Sequence, residues 1–96
     1  MRPSQALAAH RIEIRRVVEA HRARNPRVFG SVSRAADTES SDLDLLIDTL
    51  PETSLLDIGA MLDELETLLG VRVDILTSSE LPPALQRNVL TQAIPV

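Results

Sequence analysis

No stretch of this chain leaves fewer options than Ser41-Asp42-Leu43-Asp44-Leu45-Leu46-Ile47-Asp48. Side chains alternate along a β-strand, so Leu43, Leu45 and Ile47 face one way. Asp42 and Asp44 face the other, about 7 Å apart along the backbone. A strand with one apolar face must bury it against a second layer. Like charges side by side repel, and an ordinary strand has little reason to keep both. A divalent cation reverses that balance, because hard oxygen ligands suit Mg²⁺ or Mn²⁺. Upstream, Arg27-Val28-Phe29-Gly30-Ser31-Val32-Ser33-Arg34 sets a phosphate-sized backbone turn ahead of the acids, with ten residues between Ser31 and Asp42. The spacing suggests a metal site that handles a polyphosphate.

With 96 residues, the chain is expected to form a single domain over residues 1–96, with one core and no second lobe. Its apolar residues are mainly Leu, Ile, Val and Ala, and Phe29 is the only aromatic. No Trp or Tyr is available to stack on a base, so a nucleobase must rest on aliphatic side chains, on Arg planes or on a partner. The net charge of −4 argues against a free-standing nucleic-acid binder. All ten basic residues are Arg, and there is no Cys, which is compatible with a reducing cytosol. The N-terminus lacks the apolar run of a signal peptide, and no stretch is long enough to cross a bilayer. A cytoplasmic location is expected.

Periodicity predicts a first helix over residues 4–24, capped by Ser4, carrying Leu7, Ile14, Val17, Val18 and His21, and ended by Asn25-Pro26. Val28-Phe29 then reads as a short strand running into Gly30-Ser31. One or two helical turns are expected over 32–36, with Arg34 exposed, and a solvated polar connector from Asp37 to Ser41. A second strand covers 42–48. Thr53 or Ser54 caps a helix from Leu55 to Leu69 whose buried stripe is Leu55, Ile58, Leu62, Leu65 and Leu69. Gly70 ends it in a left-handed conformation. A third strand covers Val71 to Leu76, with Val71, Val73 and Ile75 on one face and Arg72, Asp74 and Leu76 on the other. A last helix covers Leu81 to Ala93, with Pro82-Pro83 tolerated in its first turn. The order implies an α/β fold: one small mixed β-sheet flanked by helices.

If the third strand pairs beside residues 42–48, Asp74 stands next to Asp42 and Asp44. Three convergent carboxylates can hold two Mg²⁺ ions about 3.5–4 Å apart, the arrangement used for in-line displacement at phosphorus. Gly30 lets the backbone approach phosphates closely. Ser31 offers a hydroxyl and an N–H where the expected short helix begins. Gly-Ser, ten residues and Asp-x-Asp, in this strand-turn-strand context, resembles the signature of the polymerase-beta-type nucleotidyltransferases. The runs around Phe29-Gly30-Ser31 and Asp42-Leu43-Asp44, with the ending Ala93-Ile94-Pro95-Val96, look most like the minimal nucleotidyltransferases. Arg34-Ala35 stands where that family frequently has Arg-Gly.

The resemblance implies a polymerase-beta-like fold and a Mg²⁺-dependent transfer of AMP from ATP. Gly30 and Ser31 would bind the nucleotide phosphates, Asp42 and Asp44 would ligate both metals, and Asp74 would supply the third carboxylate. Members of the family commonly act as antitoxins that modify a tyrosine of a HEPN-domain ribonuclease toxin. Two other readings remain: an antitoxin that only occludes its toxin, and a transferase acting on a small molecule. Arg34 reaches a phosphate or the partner on one reading and is solvated on the other. Asp48 reads as a turn or capping acid. Arg11, Arg15, Arg16 and Arg22 read as a solvated face, interleaved with Glu13 and Glu19. His10 and His21 lie about 16 Å apart along one helix, too far to share a metal.

Overall fold

The computed structural model describes all residues, Met1–Val96. Helix α1 spans Pro3–Ala9 and α2 spans Arg11–Ala20. Strand β1, Ala23–Phe29, and strand β2, Leu43–Thr49, follow. Helix α3 covers Leu55–Leu69, strand β3 Val73–Thr77, a 3-10 turn Ser78–Glu80, helix α4 Pro83–Gln92 and strand β4 Ile94–Pro95. The sheet order is β3-β2-β1-β4. β1 runs antiparallel to both β2 and β4, and β2 runs parallel to β3, so the sheet is mixed. The Cα extents are 34 × 31 × 19 Å. The short dimension has room for two layers, a sheet and a helical layer.

Alternation along β2 decides which face the helices cover. Leu43, Leu45 and Ile47 are fully buried and join Val28 and Val73 in a core with Ala6, Leu7, Ile14, Val18, Met61, Leu65 and Leu69 from the first three helices. The other face carries Asp42, Asp44, Leu46 and Asp48. Helix α3 begins with a reciprocal cap: Ser54 Oγ accepts from the Asp57 N–H at 3.2 Å, and Asp57 Oδ2 accepts from the Ser54 N–H at 2.9 Å. It ends at Gly70, left-handed at φ 67°, as the sequence suggests.

Several expectations are corrected. The first helix is two helices. His10, at φ −132°, ends α1 and starts α2, and its ring bonds Glu13 in the first turn of α2. Ser4 is not the cap of α1. It lies inside the first turn, where its N–H donates to Asp37 Oδ2 at 2.9 Å. Asp37 is thus buried, at 7% exposure, and ties the connector to α1 instead of lying in solvent. That contact, together with the charge of Arg2, holds its carboxyl below the usual range despite some burial.

Asn25-Pro26 does not end a helix. The helix stops at Ala20, Arg22 turns left-handed at φ 62°, and the chain is already extended at Ala23. Asn25, left-handed at φ 55°, makes an irregularity in β1 where the register against β2 shifts between Arg24 and Arg27. Residues 32–36 form no regular helix. They form a turn in which the N–H groups of Arg34, Ala35 and Ala36 donate to the carbonyls of Gly30, Val32 and Ser31. Leu55 is 85% exposed and not part of the α3 core stripe. Met61 takes a buried place with Leu65 and Leu69, while both Leu55 and Leu56 of the first turn are exposed. The last residues, Ile94 and Pro95, extend the sheet as β4 along β1, with the Val96 N–H donating to the Pro26 carbonyl at 3.0 Å.

Candidate active site

Strand pairing puts the acids side by side. Phe29 pairs with Asp44, and Asp44 pairs with Asp74, so one row crosses β1, β2 and β3. Directly paired residues share a face, and neighbouring strands lie about 4.8 Å apart. Asp42 lies two residues before Asp44 on that face, just ahead of β2. The structure therefore brings together Asp42, Asp44 and Asp74, while Phe29, the lone aromatic, occupies the same row and not the main core.

Gly30 closes the other side of this group. Its φ of 72° is left-handed, and a Cβ built there would collide with the Asp44 carboxylate oxygen. Glycine is favoured here by conformation, and a Cβ would in addition push the Asp44 carboxylate from its place. Ser31 follows in the turn, half-buried, and its carbonyl accepts from the Ala36 N–H at 2.8 Å. Ser33 Oγ donates to the Gly30 carbonyl at 2.9 Å and braces the same turn. Arg34 is exposed, yet its charge reaches Asp44.

Asp44 is the strained member of the group. Burial first, then the negative charges of Asp74 and Asp42, raise its carboxyl above its usual value, and Arg34 offsets only part of this. The oxygens of the three acids do not close on one point as they stand. The donor set still fits a hard divalent cation: three carboxylates on one face, one of them held against its own ionisation by the other two, beside a turn with no side chain in the way.

Two further features were not read from the sequence. Arg72, on the face of Asp74, has its Nε 4.0 Å from Asp42 Oδ1 and is 87% exposed. The alternation that marks Asp74 also marks Arg72, so the signal was present. Asp48 is not a turn or capping acid. It accepts from Arg27 at 2.6 Å, from Asn25 at 3.1 Å and from Ser78 at 2.7 Å, joining β1, β2 and the 3-10 turn below the acids. Only folding brings these partners together, so no local pattern announces them.

The family model described as polymerase beta, nucleotidyltransferase matches residues 13–96. The chain belongs to this family. The family-level resemblance drawn from Gly30-Ser31 and Asp42-Leu43-Asp44 is borne out, and the fold agrees with it. A solved structure described as a "putative minimal nucleotidyltransferase" is 43% identical, with a TM-score of 0.88 over 97% of this chain and 95% of its own. Protein adenylyltransferase MntA of Thermococcus cleftensis is 38% identical over 88 residues, 92% of this chain and 86% of its own. A "putative protein adenylyltransferase" of Methanocaldococcus jannaschii is 37% identical over 76 residues, 79% of this chain and 82% of its own. A toxin-antitoxin crystal structure with AMP-PNP has a TM-score of 0.72 at 16% identity, covering 97% of this chain and 71% of its own, a likeness of fold. No helix of this nucleotidyltransferase is long and apolar enough to cross a membrane.

Proposed function

We propose that residues 1–96 form one cytoplasmic nucleotidyltransferase domain that moves AMP from ATP to a tyrosine hydroxyl of a cognate HEPN ribonuclease toxin and so acts as its antitoxin. The observation that carries this reading is the row of Asp44 and Asp74, with Asp42 beside it, facing the glycine turn at Gly30. Relatives named protein adenylyltransferase support the choice of a protein acceptor.

In this reading Asp42, Asp44 and Asp74 would hold Mg²⁺, which when bound neutralises charge on the triphosphate and the leaving pyrophosphate. The turn from Gly30 to Arg34 binds the phosphates: Gly30 leaves room for their oxygens, Ser31 offers its hydroxyl, and Arg34 supplies a mobile positive charge. The acceptor oxygen forms its bond to the α-phosphorus as the bond to pyrophosphate breaks. Asp74 takes the hydroxyl proton. Exposed Leu76, two residues beyond Asp74 on the same face, and exposed Leu85, Leu90 and Ile94 leave apolar surface for a protein partner.

The test is to incubate the protein with Mg²⁺, α-labelled ATP and the toxin encoded beside it, and to read label and intact mass. The toxin is expected to gain AMP, and the chain, which has no Tyr, should gain none on that residue type. The Asp42→Asn/Asp44→Asn variant should lose about 10³-fold or more of the rate. A toxin inhibited in a stable complex without any mass gain would show neutralisation by occlusion instead.

A further inference from the structure

The two free edges of the sheet are built differently. In the order β3-β2-β1-β4, β4 bounds one side and β3 the other. At β4 the Val96 N–H donates to the Pro26 carbonyl, so alternation turns the neighbouring Pro95 outwards, and Pro95 has no N–H to offer. A proline on a free edge keeps further strands away. The β3 edge, Val73-Asp74-Ile75-Leu76-Thr77, has neither a proline nor a cationic side chain.

Register shows which backbone groups of β3 are spare. The Leu43 N–H donates to the Arg72 carbonyl at 2.8 Å, and Leu45 pairs with Ile75 in parallel. In such a ladder only alternate residues bond the neighbour, so Arg72, Asp74 and Leu76 bond towards β2 while Val73 and Ile75 turn outwards. Glu66 Oε2 of α3 accepts from the outward Val73 N–H at 3.0 Å. No group of the chain bonds the N–H or the carbonyl of Ile75, which lies half-buried between exposed Asp74 and exposed Leu76. We propose that this edge receives an extended segment of the acceptor protein as a further strand, an inference that rests on the transferase reading. Only another extended backbone matches an N–H and a carbonyl presented side by side. Once it exchanges bonds with Ile75, its flanking residues stand about 4.8 Å from Asp74 and Leu76 on the acid face. The residue beside Asp74 brings the hydroxyl, and the residue beside Leu76 meets apolar surface.

A second copy of this chain fits the edge poorly. Two antiparallel copies centred on Ile75 would set their Asp74 carboxylates diagonally on one face, where like charges repel. Each face already carries Asp42 and Asp44. A strand of 5 residues also covers far less than the roughly 1,600 Å² of a standard stable interface. The segment is therefore carried by a protein that touches the chain elsewhere as well, for which exposed Leu85, Leu90 and Ile94 are available.

Amide exchange and transfer kinetics with the toxin encoded beside the chain test this. The Ile75 amide should exchange freely in the isolated protein and about tenfold or more slowly in the complex. This reading needs only the wild type. Ile75→Pro removes the outward N–H without touching the β2 ladder, and Ile75→Ala trims the side chain but keeps the N–H. With Mg²⁺ and ATP, the KM for the toxin should be about tenfold higher in the proline variant than in the alanine variant, with the KM for ATP within about twofold. Equal KM values for the toxin, or an Ile75 amide left unprotected in the complex, would overturn the added strand while AMP transfer stands. Protection in the isolated protein that grows with its concentration would give the edge to a second copy and overturn it too. Protection of Ile75 by the toxin without AMP transfer would uphold the strand and sink the transferase reading instead.

Discussion

Ala35 holds a left-handed backbone, φ 55°, near the end of the turn that begins at Gly30. A residue with a Cβ gives up about 1–2 kcal/mol in that conformation. The family's frequent glycine at this place has a physical reason, and this chain keeps the conformation without the residue that suits it. Ala35→Gly should raise stability by roughly 0.5–1 kcal/mol, because the relieved strain is partly offset by the greater freedom of glycine in the unfolded chain. Urea denaturation checks it, and a lower midpoint would mean that the exposed methyl group contributes packing. Gly30 has nearly the same backbone, and a Cβ there would in addition displace the Asp44 carboxylate. Residues whose roles follow from local rules were readable in advance: Gly70 as a helix end, and Thr53 or Ser54 as a cap, of which the structure uses Ser54. Ala35 was not, because nothing local marks an alanine as left-handed.

Between elements, Asp48 ties more of the sheet together than any other polar side chain. It gathers Arg27 and Asn25 of β1 and Ser78 of the 3-10 turn onto β2. Burial pushes its carboxyl up, but the hydrogen bonds from Ser78 and Asn25 and the charge of Arg27 outweigh this, and the net direction is down. A carboxyl lowered in the folded state contributes stability that is present above its unfolded pKa and lost as pH falls through the folded one. Asp48→Ala should cost about 1–2 kcal/mol at neutral pH, kept modest because the acid is itself partly solvated and because Arg27, which loses its carboxylate, still donates to the Asn25 carbonyl. The loss should shrink at acid pH in thermal melts, and a loss unchanged with pH would place its cause in packing. The same scale shows where sequence reading stops. Helix α3 was bounded correctly because its cap, its stripe and Gly70 are local signals, though Leu55 fell outside the buried stripe. The break at His10, the early start of β1 at Ala23 and the pairing of Ile94 with Val28 depend on contacts across the chain. Periodicity has no access to these.

Across the whole molecule, the helical layer covers one face of the sheet and leaves the acids on the other, and this arrangement sets fold stability against site chemistry. Alternation in 42–48 placed Asp42 and Asp44 on one face from sequence alone, whereas the pairing of Asp44 with Asp74 needed the parallel β2–β3 register to become visible. Burial, Asp74 and Asp42 raise the Asp44 carboxyl above its unfolded value. For a carboxyl raised in this way, folding is favoured while it is protonated, and that advantage is lost as pH rises through the folded pKa. Above that folded pKa the metal-free protein carries an ionised Asp44 that works against its own fold, and there Asp44→Asn should melt at a slightly higher temperature than the wild type. On the proposed reading, Mg²⁺ is expected to reverse the order. At about ten times its dissociation constant, binding to the folded state alone adds roughly 1.4 kcal/mol, a rise of about 6–11 °C for a domain of this size. That rise should appear in the wild type, largely vanish in Asp44→Asn, and be undone by a chelator. Scanning calorimetry with and without Mg²⁺ reads all three, and an equal rise in both proteins would place the cation away from Asp44.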